Sequence, residues 1–134
     1  MDDLMRNLGQ YVGEGTWRDD AGESRRYRIE MTLEPAEGGL RQAFRHIFFE
    51  GDEPDVLQSM EFKVHAPSIL SFTMGDLTGR GFYTADVLHY TIPVPGNAVQ
   101  ATHFFDRRGV RVVGSAEKNK AGRFVMWEEL LERA

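Results

Sequence analysis

The side chains best suited to proton transfer in this sequence are two histidines and one glutamate. His46 and His103 lie in runs rich in phenylalanine, and Glu128 lies in the run MWEELLE. An imidazole titrates near neutral pH, and a carboxylate can orient it and exchange a proton with it. His46, His103 and Glu128 are therefore the candidate catalytic residues, with Tyr90 as a further partner. Such a set could isomerise, cyclise or hydrate a bound hydrophobic substrate.

Nucleophilic, nucleotide-dependent and metal-dependent chemistry have less support. The sequence has no cysteine, no G-x-S-x-G nucleophile elbow and no G-x-G-x-x-G that opens a helix. A metal site needs two or three ligands that converge in space, and the histidines are not at metal-ligand spacing. We therefore expect no metal and no cofactor.

The elements that must position these residues are β-strands. Residues 26–33 alternate strictly between polar and apolar side chains, which is the pattern of a half-buried strand. Similar runs recur about every ten residues, and Gly, Pro, Asn or Asp separates them, as in GDEP at 51–54. Residues 3–10 could form a short helical segment.

We therefore predict one domain, residues 1–134, that folds as an all-β antiparallel up-and-down β-barrel of about nine or ten strands with a short N-terminal helical segment. Closure removes the sheet edges, whereas a sandwich, the alternative, usually needs a longer crossing connection. The facing of the last strand has two solutions. One register turns Met126 and Glu128 inward and has the more apolar inner face, and the competing register turns Trp127 and Glu129 inward.

The inward faces predicted from apolarity define a lining of aromatic residues, methionines and a few polar side chains. Such a lining is usual for a small-molecule site, and it is also usual for a filled core. Because several polar groups intrude, we favour a cavity that binds a small hydrophobic or aromatic ligand. An acid–base enzyme using the same cavity is the alternative, and a filled barrel acting through protein contacts is a further one. The predicted ligand-binding residues are Tyr27, Phe44, His46, Gln58, Met60, Phe62, Phe72, Tyr90, His103 and Met126.

The first strand contains Gly13, Gly15 and Trp17 at two-residue steps, which puts them on one face. If Trp17 points inward, the glycines leave room for its ring to plug one end of the barrel. The GTW run, after a short helical segment, resembles the G-x-W signature of lipocalins and the wider calycin superfamily. The resemblance implies a barrel that Gly15 and Trp17 close at one end, with a basic residue, Arg123 or Arg133, stacked on the tryptophan.

The same resemblance bears on location and on haem. Without cysteines or a signal-like N-terminus, the chain is similar to the intracellular, lipocalin-like barrels of bacteria rather than to secreted lipocalins. Nitrobindin-like barrels, which it resembles distantly in the same opening, hold haem with a histidine towards the C-terminal end. No histidine follows His103 in this sequence, so we expect no haem.

Composition limits the partners. At 134 residues, with 41% hydrophobic and 28% charged residues, the sequence is typical of one soluble globular domain. The net charge of −5 argues against nucleic acid. No apolar run approaches the roughly 20 residues that span a bilayer, so the expected location is the cytoplasm, without membrane attachment. Residues 40–49 are apolar on both faces, and Ile47 or Phe49 turned outward could form a homodimer contact.

Overall fold

A computed structural model describes residues 2–49, 55–74 and 76–134. Within these ranges the chain forms one helical turn and ten β-strands. In chain order they are α1 (Asp2–Met5), β1 (Gly9–Asp19), β2 (Ser24–Ala36), β3 (Gly39–Phe48), β4 (Val56–Ala66), β5 (Ile69–Met74), β6 (Leu77–Tyr83), β7 (Val87–Val94), β8 (Asn97–Phe105), β9 (Gly109–Ala116) and β10 (Val125–Arg133). Nothing helical in these ranges has the length and apolarity of a membrane span. The break predicted at 51–54 lies outside the described residues.

The ten strands form one closed antiparallel barrel. Each strand pairs with its neighbours in sequence, and β1 pairs with β10 to close the sheet on itself. Closure gives both edges of every strand a partner, so the barrel presents no open edge to another chain. This confirms the predicted all-β up-and-down barrel of nine or ten strands.

Strand facing in β2 follows the alternation of its sequence. Tyr27, Ile29, Met31 and Leu33 are buried inside the barrel, whereas the side chains between them are more exposed. Burying an apolar side chain of this size contributes about 1.5–3 kcal/mol. A shift of one residue would turn all of these side chains outward, so the register is strongly specified.

One end of the barrel, which we call the closed end, is covered by the segment that contains α1. Tyr11 is fully buried there, and its hydroxyl donates a 2.7 Å hydrogen bond to the carbonyl oxygen of Asn7. The Asn7 side chain donates in turn to the carbonyl oxygen of Ala85. The guanidinium of Arg133 lies 5.1 Å from the centre of the Tyr11 ring. The first residues of the chain are thereby fastened across the end of the barrel.

Trp17 lies at the other end, which we call the open end. It is six residues beyond Tyr11 on the same face of β1, about 20 Å away at the rise of a strand. The prediction that Gly15 and Trp17 close the barrel is therefore wrong. The basic residues differ from the prediction as well, since Arg133 lies over Tyr11 and Arg123 forms an ion pair with Asp19. The first strand contains two glycine-x-aromatic runs, GQY at 9–11 and GTW at 15–17, and the run that ends in Tyr11 is the one nearer to α1.

The last strand adopts the competing register. Trp127 of β10 pairs with Trp17 of β1, and Glu129 is buried inside the barrel. Glu128 faces outward, where its carboxylate accepts a 2.8 Å hydrogen bond from Arg111. Leu130 is 69% exposed. The preference for Met126 and Glu128 inside was wrong because the inner face of β10 also contains Val125 and the buried Leu131, so it is no less apolar than the outer face.

The third strand resolves the ambiguity of residues 40–49. Phe44 and His46 face the interior, and Ile47 lies on the outer face. Phe49, just beyond the end of β3, is 50% exposed, with the Arg26 guanidinium 5.7 Å from its ring centre. A homodimer contact at this surface stays a prediction.

Candidate functional site

The interior of the barrel is filled near the closed end and hollow near the open end. Tyr11, Leu40, Phe62 and Leu70 are almost completely buried in the filled half. The hollow half contains a cavity of about 320 Å³, which we call the inner cavity. Its lining is mostly apolar and comprises Ile29, Met31, Gln42, Phe44, His46, Val56, Gln58, Met60, Tyr90, Ile92, Val94, Val99, Ala101, His103, Val112, Trp127 and Glu129.

A second space adjoins the inner cavity at the open end. This mouth pocket has a volume of about 370 Å³. It shares His46 and Trp127 with the inner cavity, and Trp17 forms part of its wall. The complete lining is Trp17, Tyr27, His46, Asn119, Lys120, Ala121, Val125 and Trp127. Trp17 therefore stands at the entrance of the barrel rather than at its floor.

Most of the predicted ligand-binding residues lie around these two spaces. Phe44, His46, Gln58, Met60, Tyr90 and His103 line the inner cavity, and Tyr27 lines the mouth pocket. Phe62 and Phe72 are buried in contact with each other and with the Tyr90 ring, so they support the cavity from below. Met126 lies on the outer face, where its sulfur is 3.9 Å from a guanidinium nitrogen of Arg18.

Three side chains meet where the cavity and the pocket join, and we call them the mouth cluster: Tyr27, His46 and Glu129. The Tyr27 hydroxyl donates a 2.7 Å hydrogen bond to Oε2 of Glu129, and Nε2 of His46 lies 3.3 Å from the same oxygen. The His46 ring is stacked between Tyr27 and Phe44, with ring centres 4.6 and 4.9 Å away. Burial, together with the charge of Glu129, raises the pKa of Tyr27. Tyr27 therefore stays protonated and acts as a donor to the carboxylate.

A second polar group, the inner cluster, consists of Gln42, Tyr90 and His103. The Tyr90 hydroxyl donates to Oε1 of Gln42 at 2.9 Å, and the Gln42 amide nitrogen lies 2.9 Å from Nε2 of His103. Since an amide nitrogen only donates, Nε2 accepts and the proton of the imidazole lies on Nδ1. Burial lowers the pKa of His103 to about 4, partly opposed by the charge of Glu129. His103 is therefore neutral near pH 7 and serves as a fixed acceptor rather than as a base in exchange with solvent.

Two glycines let the walls of the site approach closely. A β-carbon at Gly15 would lie 2.7 Å from ring carbons of Tyr27 and 2.8 Å from Cγ of Glu129. A β-carbon at Gly114 would lie 2.3 to 2.5 Å from indole atoms of Trp127. Such distances are far below van der Waals contact, so both positions require glycine while these rings stay in place. The glycine of the GTW run thus lies directly against the mouth cluster, at the open end of the barrel.

Glu129 and Gln42 are the two members of the mouth cluster and the inner cluster that the predicted set does not contain. Glu129 belonged to the competing register of β10, and Gln42 stands two residues before Phe44 on the same face of β3. Strict alternation along β3 would have found Gln42. To predict that Glu129 faces the interior, one would have to know how β1 pairs with β10.

The other histidines lie away from the cavity. His89 is on the outer face, where its Nδ1 is 2.8 Å from the hydroxyl of Thr102, and His65 is exposed. Among the described residues, no three histidine, aspartate or glutamate side chains come together in a way that could hold a metal ion. Proton transfer is the chemistry that the mouth cluster can support, since a carboxylate beside an imidazole can orient it.

No protein-family model matches the chain, and no curated protein matches it significantly. Solved structures do match in fold. CPES, an S-type phycobiliprotein lyase from Guillardia theta, superposes with a TM-score of 0.78 at 8% sequence identity, over 99% of this chain and 91% of its own. Rv2717c from M. tuberculosis gives 0.73 at 14% identity, over 99% and 96%. A protein of unknown function from the DUF3598 family of Nostoc punctiforme gives 0.67 at 12% identity, over 99% of this chain and 48% of its own. At these identities the likeness concerns the fold alone.

Proposed function

We propose that this protein binds a small apolar or aromatic molecule in the inner cavity. The observation that carries the proposal is the cavity itself, about 320 Å³ in volume and mostly apolar, with the polar groups of Gln42, His46 and Glu129 on its walls. Volumes from about 300 Å³ upward, apolar walls and a few convergent polar groups are typical of small-molecule sites.

The cavity is a shaped feature rather than loose packing. Protein interiors are close-packed, and wall atoms without neighbours lose dispersion contacts. The half of the barrel near the closed end is close-packed in this way, since Tyr11, Phe62 and Leu70 are almost fully buried there. The hollow is confined to the open end, and the glycines at 15 and 114 hold the rings of its wall against the sheet. A bound molecule would restore the missing contacts.

Blocking the cavity tests this proposal. Naphthylmethanol, a neutral aromatic probe, should quench the fluorescence of Trp17 and Trp127, which line the two spaces. Ala101→Phe fills the inner cavity and should lower the affinity for the probe at least tenfold. Ala98→Phe, the same change at an exposed position of β8, should leave the affinity unchanged. Equal binding by both variants would place the probe elsewhere and contradict the proposal.

Acid–base catalysis is the second candidate function, and the 3.3 Å approach of His46 to Glu129 favours it. In this role His46 takes a proton from a bound hydrophobic substrate or returns one to it, while Tyr27 and Glu129 hold the ring in position. An isomerase, cyclase or hydratase reaction could be carried out by these side chains. The test is hydrogen exchange at the carbon next to the carbonyl group of naphthylacetone, a neutral aromatic ketone, in deuterium oxide. Catalysis predicts exchange that His46→Gln abolishes, and an absence of exchange would leave binding alone.

We infer that the chain belongs among the intracellular, lipocalin-like barrels of bacteria, and that it acts in the cytoplasm. One fold neighbour is named as a phycobiliprotein lyase, so a barrel of this shape occurs in a protein that carries an enzyme's name. A filled barrel acting through protein contacts has less support, because the open end is hollow.

A further inference from the structure

We propose that the molecule bound in the inner cavity is an organic cation, with an apolar or aromatic body and a protonated amine or charged nitrogen heterocycle that contacts Glu129. This inference rests on the proposed binding function and names the class of ligand for that same site.

The first support is the lack of a permanent positive charge beside a buried carboxylate. Glu129 is only 4% exposed, and its close partners are the neutral hydroxyl of Tyr27 and the imidazole of His46. Among the described residues, the lining of the inner cavity contains no lysine and no arginine. A buried charge is costly unless an opposite charge or several hydrogen bonds compensate it. A cationic ligand would supply that compensation.

Ion pairs elsewhere in the structure show that other carboxylates of this chain do have arginine partners, unlike Glu129. Arg41, Arg45 and Arg111 form ion pairs with carboxylates on the outer wall. Arg123 pairs with Asp19 near the turn between β1 and β2. Each of these carboxylates has a guanidinium partner, whereas Glu129 has a tyrosine and a histidine.

The second support is the aromatic surface around the carboxylate. Trp17 and Trp127 are directly opposed partners on β1 and β10, and Tyr27 and Phe44 complete the wall on the other side of His46. The faces of aromatic rings attract cations, tryptophan most strongly. An apolar wall alone would suit any hydrophobic molecule, but an aromatic wall that includes Trp127, beside a carboxylate with no permanently charged partner, favours a positive one.

Charge balance separates this ligand class from its alternatives. The mouth cluster consists of a carboxyl group, a phenol and an imidazole, and none of these groups carries a permanent positive charge. A cationic ligand gives the buried carboxylate an opposite charge, whereas an anionic ligand brings a like charge beside it. The net charge of −5 on the chain also attracts cations and repels anions.

Three probes of nearly equal shape test the inference: naphthylmethylamine, naphthylmethanol and naphthoate, which are cationic, neutral and anionic at neutral pH. Each is titrated against the whole protein and followed by tryptophan fluorescence and calorimetry. We expect naphthylmethylamine to bind at least tenfold more tightly than naphthylmethanol, and naphthoate to bind most weakly of the three. This comparison uses the unmodified protein and does not depend on any variant folding.

Glu129→Gln then assigns the preference to the carboxylate. The variant should bind the amine at least tenfold more weakly and leave the alcohol unchanged. Glu128→Gln, the same change one residue away on the outer face, should bind all three probes as the original protein does. If naphthylmethanol binds as tightly as naphthylmethylamine, or naphthoate binds more tightly than the amine, the cationic ligand class is overturned while the proposed binding function stands. If none of the probes binds, the proposed function itself fails.

Discussion

Replacing Gly15 with alanine tests whether the first strand is built around the mouth cluster. The new β-carbon would lie 2.7 Å from Cε2 and Cζ of Tyr27 and 2.8 Å from Cγ of Glu129. Carbon atoms in good contact are about 3.5–4.0 Å apart, so both side chains would have to retreat by about 1 Å. Both are buried and joined by a 2.7 Å hydrogen bond. They have little room to move without weakening that bond.

The expected loss of unfolding free energy is about 2 kcal/mol. Overpacking a well-packed site costs about 1–3 kcal/mol, and weakening a hydrogen bond to a charged group adds part of its roughly 1.5–3 kcal/mol. Alanine recovers about 0.5–1 kcal/mol because it restricts the unfolded chain more than glycine does. With a urea slope of about 2 kcal/mol per molar, the midpoint of unfolding should fall by about 1 M.

A double-mutant cycle locates the strain. In a Tyr27→Leu background the ring that the β-carbon meets is gone, so Gly15→Ala should cost at least about 1 kcal/mol less than it does in the original protein. The reasoning is refuted if Gly15→Ala unfolds at the same urea concentration as the original protein. It is also refuted if the loss is the same in both backgrounds, because the strain would then arise elsewhere.

Other predictions concern the inner cluster and the closed end. Burial lowers the pKa of His103 to about 4, below the roughly 6.5 of an unfolded histidine, so the unfolded chain takes up the extra proton and stability falls as the pH drops from about 6.5 towards 4. The full loss is about 3 kcal/mol, of which about 2 kcal/mol falls between pH 7 and pH 5; urea unfolding at these two pH values measures that part, and an identical fall in His103→Gln would contradict the assignment. Arg133→Met removes the guanidinium from the Tyr11 ring and from the carbonyl oxygen of Leu8, and should cost about 1 kcal/mol. Faster amide exchange at residues 6–8 would report the loosened segment, and unchanged exchange there would show that Arg133 does not hold it.

The fold class is readable from the sequence because strand alternation and turn residues are local signals. The run around Tyr27 and Ile29 specifies both a strand and its inner face, and turns of a few residues leave little choice but a meander. Alternation fails where the outer wall is also apolar. Leu130 is 69% exposed and Glu129 is 4% exposed, so each face of β10 mixes apolar and charged side chains and apolarity does not decide which face turns inward.

The site is less readable because its contacts join distant parts of the chain. Tyr27 and Glu129 share a hydrogen bond although they are 102 positions apart. No local pattern reveals that pairing. The two glycine-x-aromatic runs illustrate the same limit, because either Tyr11 or Trp17 could close the barrel until their distances from the N-terminal segment are known. The facing of His46 and His103, by contrast, was predictable because each alternates with inward phenylalanines, and the structure places both inside.

Closure of the barrel by its first and last strands has a consequence for the order of folding. Until β10 docks, β1 has a partner only on its β2 side, and its other edge is open to pairing with other chains. Contacts between such distant strands form late and slowly, because the intervening loop must be closed first. Glu129 arrives with β10, so the mouth cluster is assembled only in this final step. A ligand that contacts Glu129 therefore binds the closed barrel selectively, and mass action makes it stabilise the completed fold against partly zipped intermediates during synthesis and refolding.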